Sequence, residues 1–378
     1  MKKTAGIYIH IPFCTVKCMY CDFYSITDRI EDTPQFIDAI IKEIKLSKDL
    51  YIEKFEFDTV FFGGGTPSLI DPKWIEKILI TLNETFNFKK KIEISIEVNP
   101  GEISLKKLIT LKKIGLNRIS IGVQSLDKNL LKFLDRLHSP QDSIVTYKNA
   151  RKAGFDNINT DLIYNIPNQS IFKWQKDIQT MIELNVDHIS SYSLTVEKGT
   201  ILNKEVNRGN IIMPNDKNDM QMYLYAVDEL THNQYEQYEI SNFAKKNKKC
   251  LHNLHYWNLD PYISFGPSAH SYDTKKRWWN TKSLDKYLQM ISNGKLPLQN
   301  FENLNRNDDF NELLLNGLRM SDGIKISRLE GMYPLDDFHK YLNEKLKKNS
   351  RLKVKNSYLK LSEQGKLFAD EIASNMFI

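Results

Sequence analysis

Long apolar runs are missing from this chain of 378 residues. No stretch of 18 or more apolar residues exists, so no transmembrane helix is expected. Cysteine is scarce, with four residues, and proline (12) and glycine (16) are low, which excludes a disulfide scaffold and a collagen-like chain. No charge sign dominates: 53 basic against 47 acidic residues leaves +6. That excess is spread through a Lys-, Ile- and Asn-rich composition and forms no concentrated basic face, so no nucleic-acid partner is expected. What is present is 41% hydrophobic and 26% charged residues, the balance of a folded chain of one large domain plus one smaller unit. Met1-Lys2-Lys3 mimics the start of a signal peptide. The apolar stretch after it is broken by His10 and Pro12 and runs into Phe13-Cys14 without a small-residue cleavage site, so it reads as a first strand of a cytoplasmic protein.

Residues 5–195 alternate strand-like and helix-like segments. Strands are expected at Ile7–Ile11, Thr59–Phe62, Ile92–Val98, Arg118–Val123, Asn157–Ile163 and His188–Leu194. Helix starts are marked by Thr33-Pro34, Asp71-Pro72 and Ser104, each followed by apolar residues at helical spacing. Six β-α repeats predict a parallel sheet with crossover helices. In an open doubly wound sheet both strand faces are apolar; here they are not. Ile92, Ile94, Ile96 and Val98 share one face, while Glu93, Ser95 and Glu97 share the other. The strand at 118–124 divides in the same way, and Ile7, Ile9 and Ile11 stand opposite Tyr8 and His10. A polar inner face with an apolar outer face predicts a partial (β/α)6 TIM-like barrel around a polar ligand.

The barrel is expected over residues 1–213. A region rich in aromatic turns follows at 214–306, and 307–378 reads as a small helical, winged-helix-like domain, with a helix near Phe338–Lys348 and strand pairs at Leu352–Val354 and Leu359–Leu361.

Three of the four cysteines, Cys14, Cys18 and Cys21, fall within eight residues directly after the first strand, at the mouth where β/α barrels carry their sites. Thiolates select zinc or iron–sulfur clusters. A closed zinc site needs a fourth ligand, which Cys250 with His252 or His255 would have to supply. Glu97, Gln124 and Asp161 end strands three, four and five on the polar face. Three polar side chains aimed at one mouth need partners there, although each alone is also what a strand-end cap looks like. Phe62-Gly63-Gly64-Gly65-Thr66-Pro67 ends strand two and allows close backbone approach, as an ordinary turn also would.

The C-x3-C-x2-C spacing after strand one resembles the radical S-adenosylmethionine (SAM) superfamily. That resemblance implies a [4Fe–4S] cluster held by Cys14, Cys18 and Cys21, with one iron left for SAM and one-electron cleavage of SAM to a 5′-deoxyadenosyl radical. Tyr8–Cys14, the Gly-Gly-Gly-Thr-Pro-Ser run at 63–68, Glu97–Gly101, Arg118–Ser125, Leu134–His138 and Asp161–Tyr164 are together similar to the oxygen-independent coproporphyrinogen III oxidase family over nearly the whole chain. By that likeness Tyr8, Tyr20, Gly64, Gly65, Thr66, Glu97, Gln124, Arg136 and Asp161 contact SAM. Asn165, Asn168, Ser264 and Ser268 stand where such relatives usually carry glycine.

Within that family two activities divide. Its dehydrogenases carry a cysteine two positions after the third cluster cysteine and an N-terminal arm over the substrate. Here Phe23 takes that position and 13 residues precede Cys14. Both features, and His252-Asn253-Leu254-His255-Tyr256-Trp257, resemble the haem-chaperone subfamily, whose motif is His-Asn-x-x-Tyr-Trp. The resemblance implies a protein that binds haem and hands it to an acceptor, with an electron donor for the cluster and peripheral membrane contact during delivery. His252 is the first expected haem ligand and His255 the second, on a segment expected to be exposed. The alternative is a coproporphyrinogen III dehydrogenase; a zinc-stabilised barrel with neither cofactor is a third reading.

Overall fold

A computed structural model describes residues 2–333 and 336–378; Met1 of the signal-like start, Pro334 and Leu335 lie outside it. Six parallel strands form the centre of one curved sheet: β1 Lys3–Ile11, β2 Phe55–Gly64, β3 Phe88–Val98, β4 Arg118–Gln124, β5 Ile158–Tyr164 and β6 His188–Ser193. They pair in sequence order. The expected strands are all there, several of them longer at their N-terminal ends. The crossover helices include Thr33–Leu46, Pro72–Thr85 and Leu105–Lys113. Asp71 accepts the Lys73 N–H at 2.9 Å and Ser104 the Lys107 N–H at 3.2 Å, so the predicted starts are true side-chain caps. Thr33 differs: it is the first helical residue, and its hydroxyl turns back to the Ile30 carbonyl at 2.5 Å.

The two strand faces behave as their alternation requires. Ile7, Ile9, Ile11, Ile96, Ile119 and Ile121 are fully buried beneath Phe36, Ile37, Ile40 and Ile44 of the first helix and their counterparts. The opposite face is polar and also closed from water: Glu93, Ser95, Arg118 and Ser120 are buried. Hydrogen bonds satisfy part of this lumen. Asn159 Nδ2 donates to Ser120 Oγ at 2.7 Å, and His188 holds Asn159 at 2.6 Å and the Tyr238 hydroxyl at 2.8 Å.

The segment 214–306, set apart by its sequence pattern, adds strands to both edges of this same sheet. β7 Glu236–Glu239 and β8 Asn242–Ala244 continue it antiparallel beyond β6. β9 Tyr262–Phe265 lies parallel to β1 and is followed by antiparallel β10 His270–Tyr272, β11 Lys276–Asn280 and β12 Leu298–Asn303. The sheet is thus twelve-stranded, in the order β12-β11-β10-β9-β1-β2-β3-β4-β5-β6-β8-β7. Its barrel is partial because the strands at its two edges pair with different neighbours rather than with each other.

From Arg306 a second core gathers around Phe310, Leu314, Leu359 and Ala373. Here β13 Ile324–Lys325, β14 Leu352–Lys355 and β15 Tyr358–Leu361 form a small antiparallel sheet packed by short helices. This unit is tied to the barrel. Arg277 grips Glu312 through two nitrogens at 2.8 and 2.9 Å, and Lys366 donates to Gln237 at 2.7 Å.

Candidate cluster and SAM site

The cysteine loop leaves β1 and is pinned where it returns. Cys14 N–H donates to Ile26 O at 2.9 Å and Ile26 N–H to Pro12 O at 2.7 Å. His10 reaches the Tyr24 carbonyl at 2.8 Å, and the Tyr24 hydroxyl accepts the Leu284 N–H at 3.0 Å. Between these anchors Cys14, Cys18 and Cys21 are half-buried and unbridged. Burial raises the thiol of Cys14 and pushes that of Cys21 up to about 11.

The glycine run lies directly against this loop. Gly65 N–H donates to Ile11 O at 2.8 Å and Thr66 N–H to Phe13 O at 2.7 Å. A Cβ on Gly65 would stand 2.6 Å from Phe13 O and 3.0 Å from Cys14 Sγ, so the approach excludes any side chain. Gly64, at φ +112°, needs the backbone freedom of glycine as well. Thr66 Oγ1 donates to Cys14 Sγ at 3.5 Å and accepts from Asn99 Nδ2 at 3.0 Å. Arg136 points one nitrogen at Cys18 Sγ, 3.7 Å away, and the other at Asn99 Oδ1 and Gly122 O, at 2.6 and 2.9 Å.

The carboxylates end up deep in the mouth. Glu97 accepts the Gly64 N–H at 3.1 Å, and burial, then the nearby Asp161, push its pKa up to about 8. Asp161 is raised by burial and held back by Ser190, Ser120 and Asn159; Ser120 and Asn159 donate at 2.9 and 2.8 Å. Tyr8 lies within reach of Glu97 and Tyr20 within reach of Arg136, both with burial as the first cause of a raised hydroxyl pKa. Gln124 sits at φ +64°, a conformation rare outside glycine, and its amide folds back over Gly122. The expected SAM residues therefore gather at one end of the barrel beside the cysteine loop.

Asn99, which ties Arg136, Thr66 and Glu102 together, was not singled out in the sequence. Nor was Asp135, at φ +53°, which accepts the Met19 N–H at 3.2 Å. The available signal was a polar residue directly after a strand end or next to the arginine. Asn165, Asn168 and Ser268 do adopt the left-handed backbone that a glycine would provide. Ser264 does not: it lies in β9, its N–H donating to Ser271 Oγ at 2.8 Å and its hydroxyl to the His270 carbonyl.

The structure sets aside the zinc alternative and corrects one expectation. Cys250 does not approach the cysteine loop: it is buried, with its Sγ 3.7 Å from Glu93. Glu93 pairs through Thr59 to Gly6, five residues before Ile11, roughly 16 Å lower along the strands. Cys250, His252 and His255 therefore do not supply the fourth ligand that a zinc site at the loop would need. The His-Asn-x-x-Tyr-Trp segment is also not exposed; it forms the helix Leu251–Asn258, and His252 is 1% accessible. Both its ring nitrogens are engaged, by Thr59 Oγ1 at 2.8 Å and Tyr256 OH at 2.9 Å, and the ring stacks on Phe61 at 5.2 Å. His255, also buried, holds Asp58 at 2.8 Å through Nε2, while its Nδ1 has no hydrogen-bond partner among the described residues and lies 4.0 Å from Asp260 Oδ2.

These residues fit a cluster and SAM: three thiols on one anchored loop, a cation and a hydroxyl aimed at two of them, a side-chain-free cradle at Gly65, and half-buried carboxylates beyond it. The radical SAM superfamily profile matches residues 8–181, and the HemN C-terminal domain profile matches 304–368. The heme chaperone HemW of Bacillus subtilis is 30% identical, with 97% of each chain covered. That of Buchnera aphidicola from Schizaphis graminum is 34% identical, covering 97% of this chain and 96% of its own. The solved structure of Escherichia coli coproporphyrinogen III oxidase, HemN, described as a radical SAM enzyme, superposes with a TM-score of 0.85 at 25% identity, covering all of this chain and 90% of its own. With 97% of its length matched to each of these two relatives and both profiles matched in order, the chain belongs to the HemW family of radical SAM proteins.

Proposed function

We propose that this protein binds haem and passes it to an acceptor protein, with its cluster and SAM as resident partners. The observation that carries the reading is the likeness over 97% of the chain to relatives named as haem chaperones. Phe23 supports it. Its ring is 61% exposed two positions after Cys21, so a side chain without a thiol stands at the rim of the cluster loop.

When bound, the cluster and SAM supply one-electron chemistry that side chains cannot. The chain's own groups prepare the site: Cys14, Cys18 and Cys21 would hold the iron, Arg136 and Thr66 face two of their sulfurs, and Glu97 and Asp161 stand at the SAM end, fixed by Gly64 and by Ser120 and Asn159. Of the motif histidines, His252 would have to surrender two hydrogen bonds to meet iron. His255 is the haem ligand we propose, because Asp58 fixes one nitrogen and the other, 4.0 Å from Asp260, makes no hydrogen bond among the described residues, the arrangement in which a carboxylate orients a ligating imidazole. The acceptor and the electron donor are separate proteins in this reading, and delivery takes place from the cytoplasm. Contact with a membrane would be peripheral, since no helix among the described residues is long and apolar enough to cross one.

A coproporphyrinogen III dehydrogenase is the second reading, favoured by the TM-score of 0.85 to HemN. One pair of assays separates them: anaerobic haem titration, and incubation of the reconstituted protein with coproporphyrinogen III, SAM and a reductant. Haem binding without decarboxylation is the expected result; steady decarboxylation would overturn the chaperone reading.

A further inference from the structure

A cavity of about 500 Å³ opens where the motif helix Leu251–Asn258 meets the C-terminal unit. It lies apart from the cluster mouth, and its volume falls within the roughly 300–1,000 Å³ usual for small-molecule sites. Three cations line it: Lys325, Arg328 and Lys360. Arg328 donates to the Asn258 carbonyl at 2.7 Å and Lys360 to the Ser321 carbonyl at 3.3 Å. These are neutral partners, and among the described residues none of the three cations forms an ion pair with a carboxylate. Asp322 is the one acidic side chain in the lining. The walls also carry two aromatic residues, Trp257 and Tyr358, and the floor includes Leu313 and Ile324. Trp257 is fixed from outside the cavity by Arg319, whose guanidinium lies 5.2 Å from the ring centre.

We infer that this cleft seats the ring and carboxylates of a porphyrin dicarboxylate, a proposal that rests on the haem reading above and gives it a location. A purely ionic ligand would leave the aromatic and aliphatic walls unused. A purely apolar one would cover three cations without neutralising them, at a cost in desolvation. A flat apolar ring bearing two carboxylates satisfies both halves of the lining, and a concave site with surplus positive charge attracts such an anion from solution. His255 does not line the cleft, so this seat requires no bond to iron and is separate from the ligation proposed for His255. The seat places the ligand beside Trp257, the last residue of the motif, outside the partial barrel and within reach of an acceptor.

The test uses the reconstituted full chain and two probes, haem and metal-free protoporphyrin IX, titrated into the native protein, the Lys325→Glu/Lys360→Glu double variant and Asp322→Asn. Iron content and circular dichroism check that each variant is folded and loaded. Both probes are expected to bind the native chain, to lose roughly tenfold or more in affinity in the charge-reversed variant, and to bind more tightly to Asp322→Asn. Protoporphyrin dimethyl ester, which lacks the carboxylates, should compete poorly. Native protein that binds haem while the variants bind both probes equally well would overturn the cleft and leave the haem reading standing. Equal competition by the dimethyl ester, or displacement by ATP at comparable concentration, would also overturn the assignment to porphyrin carboxylates. Failure of the native protein to bind haem at all would overturn the haem reading itself.

Discussion

Arg136 holds a guanidinium nitrogen 3.7 Å from the Sγ of Cys18 while its other branch is clamped by Asn99 and Gly122. The cation therefore cannot swing away, and it faces the sulfur that would carry negative charge in the loaded protein. Replacing it with the uncharged Met should make the cluster harder to reduce. A potential lower by on the order of 50 mV is expected, equivalent to about 1 kcal/mol of lost charge interaction. Redox titration followed by electron paramagnetic resonance measures it; an unchanged midpoint would show that the arginine does not act on the cluster.

Each of Cys14→Ala, Cys18→Ala and Cys21→Ala should abolish a stable cluster, leaving far less than the roughly four irons per chain of a complete one. Cys250→Ala should retain it, because that thiol faces Glu93 at the other level of the barrel. Gly65→Ala should behave like a cysteine variant without removing any ligand, since its methyl group would be forced against Phe13 O and Cys14 Sγ. Iron and sulfide analysis after anaerobic reconstitution decides all five cases.

SAM is expected to change the resonance spectrum of the reduced cluster. Asp161→Ala should weaken that change about tenfold in SAM concentration without loss of iron, because it removes a half-buried acceptor that Ser120 and Asn159 hold in place. Saturating SAM without spectral effect in the native chain would count against the placement of the cofactor.

The strands and the site residues on them were legible because a period of two separates Glu97 and Gln124 from the isoleucines beside them, whatever the rest of the fold does. The cysteine loop was legible from its spacing together with its place directly after the first strand. The burial of His252 was not. It depends on Gly6 and Thr59, far away in sequence, leaving room for an imidazole against β1 and β2, and a single sequence carries no sign of that contact. The course of 214–306 was hidden for a similar reason: β9 pairs with β1 across more than two hundred residues. Asn99 was overlooked because its work, bridging Arg136 to Thr66, exists only once two loops are brought together.

Stability should fall as pH rises through neutrality, and Asp177 is the clearest contributor. It is buried on the helix Ile171–Glu183 and accepts the Ser125 hydroxyl at 2.8 Å and the Leu126 N–H at 2.9 Å. Burial pushes its pKa up to about 7; those two hydrogen bonds oppose the rise, Asp127 adds to it and Lys176 opposes it. Glu43, buried beneath Tyr287, Gly266 and Asn280, is likewise pushed up to about 7 by burial. An unfolded Asp releases its proton near pH 4, so between about pH 4 and 7 the folded chain binds the additional proton. The stability linked to that proton is complete below the lower value and is lost as pH rises through the upper one. Asp177→Asn keeps the shape, and its amide can donate to Ser125 while its oxygen accepts from Leu126, but it does not titrate. Relative to wild type, the Asn variant should therefore gain on the order of 2 kcal/mol between pH 5 and pH 8. Urea unfolding of the loaded protein at the two pH values measures the difference, and parallel behaviour of the two proteins would show that Asp177 is already ionised in the fold at pH 5.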